Sequence, residues 1–208
     1  MKDLGTASEV LNIRIKYDRQ KGILSLDQRK YAEEILRRFN MFDCDPVKLP
    51  SDPNQKLSSK MSPTTENELR QMEIIPYRGA VGSILHLAQC TRPDLSFSVT
   101  NVSQFNQNPG QAHWKAVKRI LRYIKGTLNC KLTFARDGKY GEMCAYSDAD
   151  WASSFEDRRS CTGYVFLWKG GAISWSSKKQ RTVALSTAES EYMALTAACQ
   201  EAIWFDQL

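Results

Sequence analysis

Histidine is scarce in this chain, which has only His86 and His113 among its 208 residues. The six cysteines are scattered, and no two of them form a Cys-x-x-Cys pair. Because zinc sites and disulfide frameworks need closely spaced or regularly paired ligands, the sequence predicts neither. We therefore expect reduced, mostly buried thiols in an intracellular protein.

Long apolar runs are missing as well. No stretch approaches the roughly 20 apolar residues that a membrane-spanning helix needs, and residues 1–5 carry no apolar signal-peptide core. The chain also has no Gly-x-Ser-x-Gly motif and no Walker-type phosphate loop. These absences argue against a membrane partner, a serine hydrolase and a P-loop nucleotidase.

Apolar residues and positive charge are both well represented. Hydrophobic residues make up 42% of the chain, enough for one large domain or two small ones with ordinary cores. The 29 lysines and arginines exceed the 23 aspartates and glutamates, which gives a formal net charge of +6. A basic excess of this size suits a polyanionic partner, but it also fits many proteins that have none.

The first part of the chain is predicted to be a hairpin followed by helices. Residues 10–17 alternate apolar and polar side chains, and residues 21–26 follow as a second strand. A helix is expected from an Asp27 N-cap to about Met41. The proline- and serine-rich residues 43–63 predict a long irregular connection. Further helices are expected over residues 77–91, 93–105 and 111–126.

Strand-like alternation replaces helical spacing near Asp137 and Gly138. We place a domain boundary there, which divides the chain into residues 1–136 and 137–208. A last helix is expected from about Ser186 to Asp206. Short strands are expected over residues 131–134, 143–146, 163–167 and 172–175. The apolar stripe of the last helix is predicted to contain Ala188, Tyr192, Leu195, Cys199 and Ala202.

Three carboxylates could meet at one end of the predicted strands. Asp148 is expected at the end of a strand, Asp150 has the same parity but lies in the following turn, and Glu191 lies in the first turn of the last helix. Magnesium and manganese prefer such hard oxygen ligands, and two bound ions can bridge the attacking and leaving oxygens of a phosphate. The same residues are equally consistent with ordinary turn chemistry and a solvated first-turn glutamate.

Glu189 competes with Glu191 for the same role. The two side chains are two residues apart on a helix and point about 200° apart, so only one of them can face the sheet. Glu191 lies at the margin of the apolar stripe, beside Leu195, whereas Glu189 lies further round the helix. The spacing therefore favours Glu191.

The predicted helix over residues 111–126 carries five cations on adjoining positions, which could follow a phosphate backbone. Two short basic turns add Arg158 and Lys178 as further candidate phosphate contacts. A solvated polar face that binds nothing explains both sets equally well. The five helix cations are Lys115, Lys118, Arg119, Arg122 and Lys125.

Several sequence blocks resemble one known family. Tyr-Ser-Asp-Ala-Asp-Trp-Ala at residues 146–152, Arg-Arg-Ser-Cys-Thr-Gly-Tyr at residues 158–164 and Glu-Tyr-Met-Ala-Leu at residues 191–195 are similar to the ribonuclease H region of Pol polyproteins from copia-type retrotransposons. Upstream, Tyr-Arg-Gly-Ala-Val-Gly at residues 77–82 and Thr-Arg-Pro-Asp-Leu at residues 91–95 are similar to the reverse transcriptase of the same polyproteins. The resemblance covers essentially the whole chain.

This resemblance implies an α+β fold, with the end of the reverse transcriptase palm, the thumb and the connection in residues 1–136. Residues 137–208 would form a truncated ribonuclease H-like mixed sheet with one packed helix. Asp148 and Glu191 would be catalytic residues and metal ligands, with Asp150 as a further ligand of Mg²⁺ or Mn²⁺. The implied partners are an RNA/DNA hybrid or other nucleic acid and the remainder of the polyprotein, in a cytoplasmic particle or the nucleus.

The sequence also departs from the family pattern. No two aspartates are adjacent, so the polymerase aspartates are missing, and the later acidic ligands of ribonuclease H have no counterpart. Leu11-Asn12 stands where the family usually has Leu-Gly. We therefore expect no polymerase activity, weak or absent hybrid cleavage, and an open sheet edge at residues 143–147. A non-catalytic nucleic-acid-binding remnant that uses the helix over residues 111–126 is the alternative, and a degenerate reading frame without function is a third.

Overall fold

Two antiparallel sheets and six α-helices make up the part of the chain that the computed structural model describes, residues 5, 7–136 and 142–208. The predicted α+β class is confirmed. The helices are α1 (Arg29–Arg38), α2 (Glu66–Glu73), α3 (Tyr77–Cys90), α4 (Ser96–Ser103), α5 (Gln111–Gly126) and α6 (Thr187–Asp206). The strands are β1 (Glu9–Val10), β2 (Ile13–Asp18), β3 (Ile23–Asp27), β4 (Leu132–Ala135), β5 (Cys144–Asp150), β6 (Cys161–Trp168) and β7 (Gly171–Lys179).

The first sheet has the strand order β1-β2-β3-β4. The predicted hairpin of β2 and β3 is confirmed, but residues 10–17 are not one strand, because the chain turns at Leu11 and Asn12. Both residues have positive φ, of 50° and 62°, which suits the two-residue turn of a tight hairpin. Asparagine tolerates this left-handed backbone, whereas leucine is strained in it.

The start of α1 differs from the prediction. Asp27 is the last residue of β3, and Gln28 is the N-cap, without a side-chain capping bond. The Asp27 carboxylate accepts a 3.2 Å hydrogen bond from the backbone N–H of Arg29. It also accepts hydrogen bonds from Nε and Nη2 of Arg14, at 2.9 to 3.0 Å. Asp27 therefore supports the helix start from one residue further out than expected.

The hydrophobic core lies among α1, α3, α4 and α5. These helices fall close to where helical spacing placed them, and each contributes its apolar face. The fully buried side chains of this core include Ile35, Leu36, Ile84, Leu87, Leu95, Val99, Ile120, Leu121 and Ile124.

The irregular connection over residues 41–63 crosses the surface of α4 and α5. Its Ser58 carbonyl lies 3.1 Å from Nε2 of the fully buried His113, and its Ser51 hydroxyl lies 2.7 Å from the Ser98 hydroxyl. The connection is followed by α2, which the sequence reasoning missed. The readable signal was the capping box of Thr65 and Glu68, in which each side chain accepts a hydrogen bond from the other residue's backbone N–H.

The second sheet has the order β5-β6-β7, and α6 packs against β5 and β6. Among the described residues, β5 pairs only with β6, at the edge of this sheet. The two sheets meet where β4 approaches the β6–β7 turn, since the Ala135 N–H donates to the Lys169 carbonyl at 2.9 Å. The predicted boundary at residues 137 and 138 lies outside the described residues.

The predicted apolar stripe of α6 is wrong. The buried positions of this helix are Ser190, Ala194 and Ala198, whereas Tyr192 and Leu195 are 70% and 48% exposed. Small side chains let the helix lie close to the sheet, and Phe205 adds a ring contact 5.3 Å from Phe166 on β6. Tyr192 and Leu195 consequently face away from the sheet.

Candidate carboxylate site and basic surface

Asp148 and Asp150 both lie within β5, although Asp150 was expected in the turn after it. Asp148 pairs with Gly163 and Asp150 pairs with Cys161 on β6. Both aspartates are exposed, and the Asp148 carboxylate accepts a 2.9 Å hydrogen bond from the N–H of Ala149. Two carboxylates of the same strand parity therefore stand at the end of an edge strand.

The first turn of α6 gives its two glutamates different roles. The Ser186 hydroxyl accepts a 3.2 Å hydrogen bond from the Glu189 N–H, and the Glu189 carboxylate accepts a 2.7 Å bond from the Leu185 N–H. Glu189 is thus engaged in holding the helix start. Glu191 is exposed and lies about 100° round the helix from the buried Ser190, at the margin of the buried face.

A row of hydrogen bonds connects the two elements that carry Asp148 and Glu191. Ala149 on β5 pairs with Thr162 on β6. The amide of Gln180 donates to the Thr162 hydroxyl and to the Ser190 carbonyl, both at 3.0 Å. Asp148 and Glu191 are each one residue from an end of this row.

The donor chemistry of this site suits a hard divalent ion, because carboxylate oxygens are the ligands that Mg²⁺ and Mn²⁺ prefer. In the ranges that the structure covers, however, no group of three or more His, Cys, Asp or Glu side chains is arranged to hold a metal ion. Asp148, Asp150 and Glu191 thus do not form such a group in the described residues.

Three of the five predicted phosphate-binding cations on α5 contact the connection over residues 41–63. Arg122 donates to the Asp45 carbonyl at 2.7 Å, the Lys125 ammonium lies 4.2 Å from the centre of the Phe42 ring, and the Arg119 guanidinium lies 3.5 Å from the Asp52 carboxylate. These contacts use part of the basic stripe to hold the connection against α5.

The remaining predicted cations are distributed over two surfaces. Lys115 and Lys118 lie on α5 and form no ion pair with the residues that the structure describes. Arg158 and Lys178 are exposed on the second sheet and its connections, and Arg158 has a positive φ of 57°. The structure thus places one pair of these cations on α5 and the other pair on β7 and the β5–β6 connection.

The connection between β5 and β6 contains anchoring residues that sequence reasoning missed. Partial desolvation raises the pKa of Asp157, but hydrogen bonds from Ser154 and Lys179 outweigh it and lower the pKa to about 2. Lys179 also binds the Asp157 carboxylate directly, at 2.9 Å. The neighbouring Glu156 carboxylate accepts hydrogen bonds from Ser59, which ties this connection to the first part of the chain. No sequence motif marks these long-range partners.

Comparison with known proteins finds relatives that match most of the chain. It is 48% identical over 204 residues to the retrovirus-related Pol polyprotein from transposon TNT 1-94 of Nicotiana tabacum, and 41% identical over 189 residues to that from transposon RE1 of Arabidopsis thaliana. It is also 53% identical over 133 residues to the secreted RxLR effector protein 161 of Plasmopara viticola. These matches cover 98%, 89% and 64% of the chain, respectively.

The chain therefore belongs to the family of retrovirus-related Pol polyproteins of copia-type transposons. It spans 15% of the TNT 1-94 polyprotein, 12% of the RE1 polyprotein and 93% of the effector protein. No profile of a known protein family matches the chain. No solved structure matches it either. Among the helices of the described residues, none combines the length and apolar character needed to cross a bilayer.

Proposed function

We propose that β5, β6, β7 and α6 are the beginning of a ribonuclease H domain, which acts on the RNA strand of RNA/DNA hybrids as part of a Pol polyprotein. The observation that carries this proposal is the row from Ala149 to Ser190, since it links the strand that bears Asp148 to the helix that bears Glu191. Membership of the Pol family supports the same reading. Residues 1–136 would then belong to the end of the preceding reverse transcriptase palm, the thumb and the connection.

Asp148 and Glu191 would hold Mg²⁺ or Mn²⁺, with Asp150 as an additional carboxylate nearby on the same strand. A bound divalent ion would activate a water molecule and stabilise the leaving oxygen of the scissile phosphate. Glu189 would contribute indirectly, because its capping bond to the Leu185 N–H fixes the start of the helix on which Glu191 lies. Selection of RNA would rest on its 2′-hydroxyl groups and on groove shape rather than on base sequence.

Cleavage by this chain alone is proposed to be weak or absent. Two or three exposed carboxylates provide little affinity for a pair of divalent ions, and catalysis of phosphoryl transfer depends on placing those ions. The remainder of a Pol polyprotein is the partner that would complete the site.

The test uses the full chain and a hybrid with a labelled RNA strand, in Mg²⁺ and then in Mn²⁺. Binding of Mn²⁺ by calorimetry is followed in parallel, because it does not require turnover. We expect Asp148→Asn and Glu191→Gln each to weaken Mn²⁺ binding and to remove any slow cleavage. Glu73→Gln, at an exposed glutamate on α2, is the matched control and should change neither. Metal binding that both site variants leave intact would refute the assignment.

A non-catalytic nucleic-acid-binding role is the second candidate. It is favoured by Lys115 and Lys118, which form no ion pair with described residues and remain on one stretch of α5. This role predicts hybrid binding that weakens steeply with salt, since each phosphate contact releases counterions. In Lys115→Glu/Lys118→Glu, both the affinity and the salt dependence should fall, while Lys30→Glu on α1 serves as the control. Binding without cleavage or metal binding would select this role over the nuclease.

A further inference from the structure

A cleft of about 750 Å³ lies between the two parts of the chain. One wall is formed by residues 49–57 together with α4 and α5, and the other wall is formed by the connection between β5 and β6. The Glu156 to Ser59 hydrogen bonds and the Lys179 contact with Gln104 at 3.2 Å hold the two walls together. Small-molecule sites have volumes in the range of about 300–1,000 Å³, so the cleft is large enough for one or two nucleotides.

Three exposed aromatic side chains line this cleft. Phe97 on α4 is 42% exposed, and Trp151 and Phe155 on the β5–β6 connection are 42% and 57% exposed. Aromatic rings of a folded protein are mostly buried, and these three depart from that tendency. The Trp151 ring is held in place, because its indole N–H donates to the Ala184 carbonyl at 3.2 Å. The rings thus offer flat apolar faces to a ligand in the cleft.

Two cations with unused donors stand beside the rings. Arg158 lines the cleft, is exposed, and forms no ion pair with any residue in the described ranges. Arg119 pairs with the Asp52 carboxylate at 3.5 Å, and its buried Nε has no hydrogen-bond acceptor among the residues that the structure describes. An arginine with free guanidinium donors is well suited to a phosphate oxygen.

The acidic residues of the cleft limit what it can accept. Asp150 and Glu156 also line it, so the backbone of a duplex, with a charge every few ångströms, would meet repulsion there. An unpaired base brings amino N–H groups that such carboxylates can accept, and it brings a π-face that stacks on an aromatic ring. Rings, arginines and carboxylates together therefore match a short unpaired strand better than a duplex.

We propose that this cleft binds one or two unpaired nucleotides of a single nucleic-acid strand, with bases stacked on Trp151 and Phe155 and a phosphate held by Arg158 and Arg119. The cleft includes Asp150 but neither Asp148 nor Glu191 of the proposed nuclease, and the proposal rests on the proposed function only in taking nucleic acid as the ligand. It would hold a strand end or an unpaired segment next to a hybrid that is bound elsewhere.

The test is a titration of the full chain with octamers of deoxythymidine and of uridine and with adenosine monophosphate, followed by tryptophan fluorescence. Stacking on Trp151 should quench the signal with both octamers. We expect Phe155→Ala to weaken octamer binding about tenfold, which is the size of one lost stacking contact. Arg158→Asn should also weaken octamer binding, because it removes the guanidinium that holds the phosphate. Asparagine is chosen because it tolerates the positive φ at this position. Tyr17→Ala, at an exposed ring on β2 outside the cleft, is the matched control and should bind as the wild type does.

Three results would overturn the cleft assignment. They are the absence of octamer binding, equal affinity of the wild type and the Phe155→Ala and Arg158→Asn variants, and binding of adenosine monophosphate as tight as that of the octamers, which would indicate a free nucleotide. Circular dichroism of each variant verifies that it is folded. Octamer binding that survives Asp148→Asn and Lys115→Glu/Lys118→Glu supports the cleft even if hybrid cleavage and hybrid binding both fail, so the two proposals can fail separately.

Discussion

Gly110 lies where the start of α5 meets the 3₁₀ turn at Ser59–Met61. A Cβ added to Gly110 would overlap the Met61 carbonyl oxygen and lie 3.0 Å from the Met61 carbonyl carbon. The φ of Gly110 is −104°, which any residue can adopt. Gly110→Ala is therefore expected to destabilise the protein through lack of space and not through backbone strain.

The size of the effect follows from how firmly this turn is held. The Ser58 carbonyl lies 3.1 Å from the buried His113 ring, and the Ser62 hydroxyl donates to the Asn108 carbonyl at 2.7 Å. Forcing an extra carbon against such backbone lowers the free energy of unfolding by about 1–3 kcal/mol. The change from glycine to alanine also makes the unfolded chain less flexible, which raises the free energy of unfolding by about 0.4–1 kcal/mol. We expect Gly110→Ala to lower the free energy of unfolding by about 2 kcal/mol.

Urea unfolding followed by circular dichroism measures this change. Gly79→Ala is the matched control, because nothing lies within 4 Å of a Cβ at this exposed position in α3, and it should stabilise the protein by about 0.5–1 kcal/mol. Gly110→Ser tests the other explanation, since serine is a good N-cap and would rescue a variant whose only defect is capping. A Gly110→Ala protein as stable as the wild type would refute the packing argument.

Three further substitutions or conditions test other parts of the fold. Burial holds the pKa of His113 below its ordinary 6.5, partly opposed by the hydrogen bond to the Ser58 carbonyl, so the unfolded chain takes up this proton more readily than the folded one. The stability that neutral His113 contributes is fully present above pH 6.5 and is lost as the pH falls below this value. Lowering the pH from about 7.5 to about 5.5 should therefore lower the urea midpoint of both the wild type and His86→Gln. Arg92→Lys should cost about 2 kcal/mol, because lysine cannot replace the paired guanidinium bonds to Asp94; an unchanged urea midpoint would contradict this. Leu11→Asn should raise the thermal midpoint by relieving about 1 kcal/mol of left-handed strain, and a lower midpoint would count against the turn geometry.

The helices that sequence spacing predicted well are those with a strong buried face. In α3 and α5, residues such as Ile84, Leu87, Leu121 and Ile124 recur at helical spacing and are fully buried, so the local pattern and the tertiary packing agree. The missed helix α2 buries only Met72, and its apolar pattern is correspondingly weak. Its capping box was nevertheless visible in the sequence as Thr-x-x-Glu at residues 65–68.

The tight turn at Leu11 and Asn12 was missed for a different reason. Strand alternation over residues 10–17 is unbroken on either side of the turn, and no glycine marks the positive φ values. The pairing of β1 with β2 decides the conformation here, at the cost of a strained leucine. Local sequence rules cannot foresee a turn that is imposed by the pairing of its neighbours.

The choice of Glu191 over Glu189 as the candidate ligand rests on an argument that the structure revises. The spacing argument placed Glu191 beside an apolar stripe containing Tyr192 and Leu195, and the structure exposes both of those side chains. The revised reason is that Glu189 holds the helix start, which leaves Glu191 as the first-turn carboxylate without such a role. Sequence periodicity could not reveal this, because it assumes that the larger apolar residues are the buried ones.

The outward face of α6 and the edge of β5 are both surfaces that another element could cover. Tyr192, Leu195 and Trp204 are 70%, 48% and 52% exposed, and β5 has backbone groups without a strand partner among the described residues. Exposed apolar surface and unpaired strand edges both favour association with another element. In the TNT 1-94 polyprotein the matched segment is 15% of the length, so ample neighbouring sequence exists there to cover this face. A cover of this kind would bury the apolar side of α6 and bring further side chains to Asp148 and Glu191, which connects the stability of this sheet to completion of its carboxylate site.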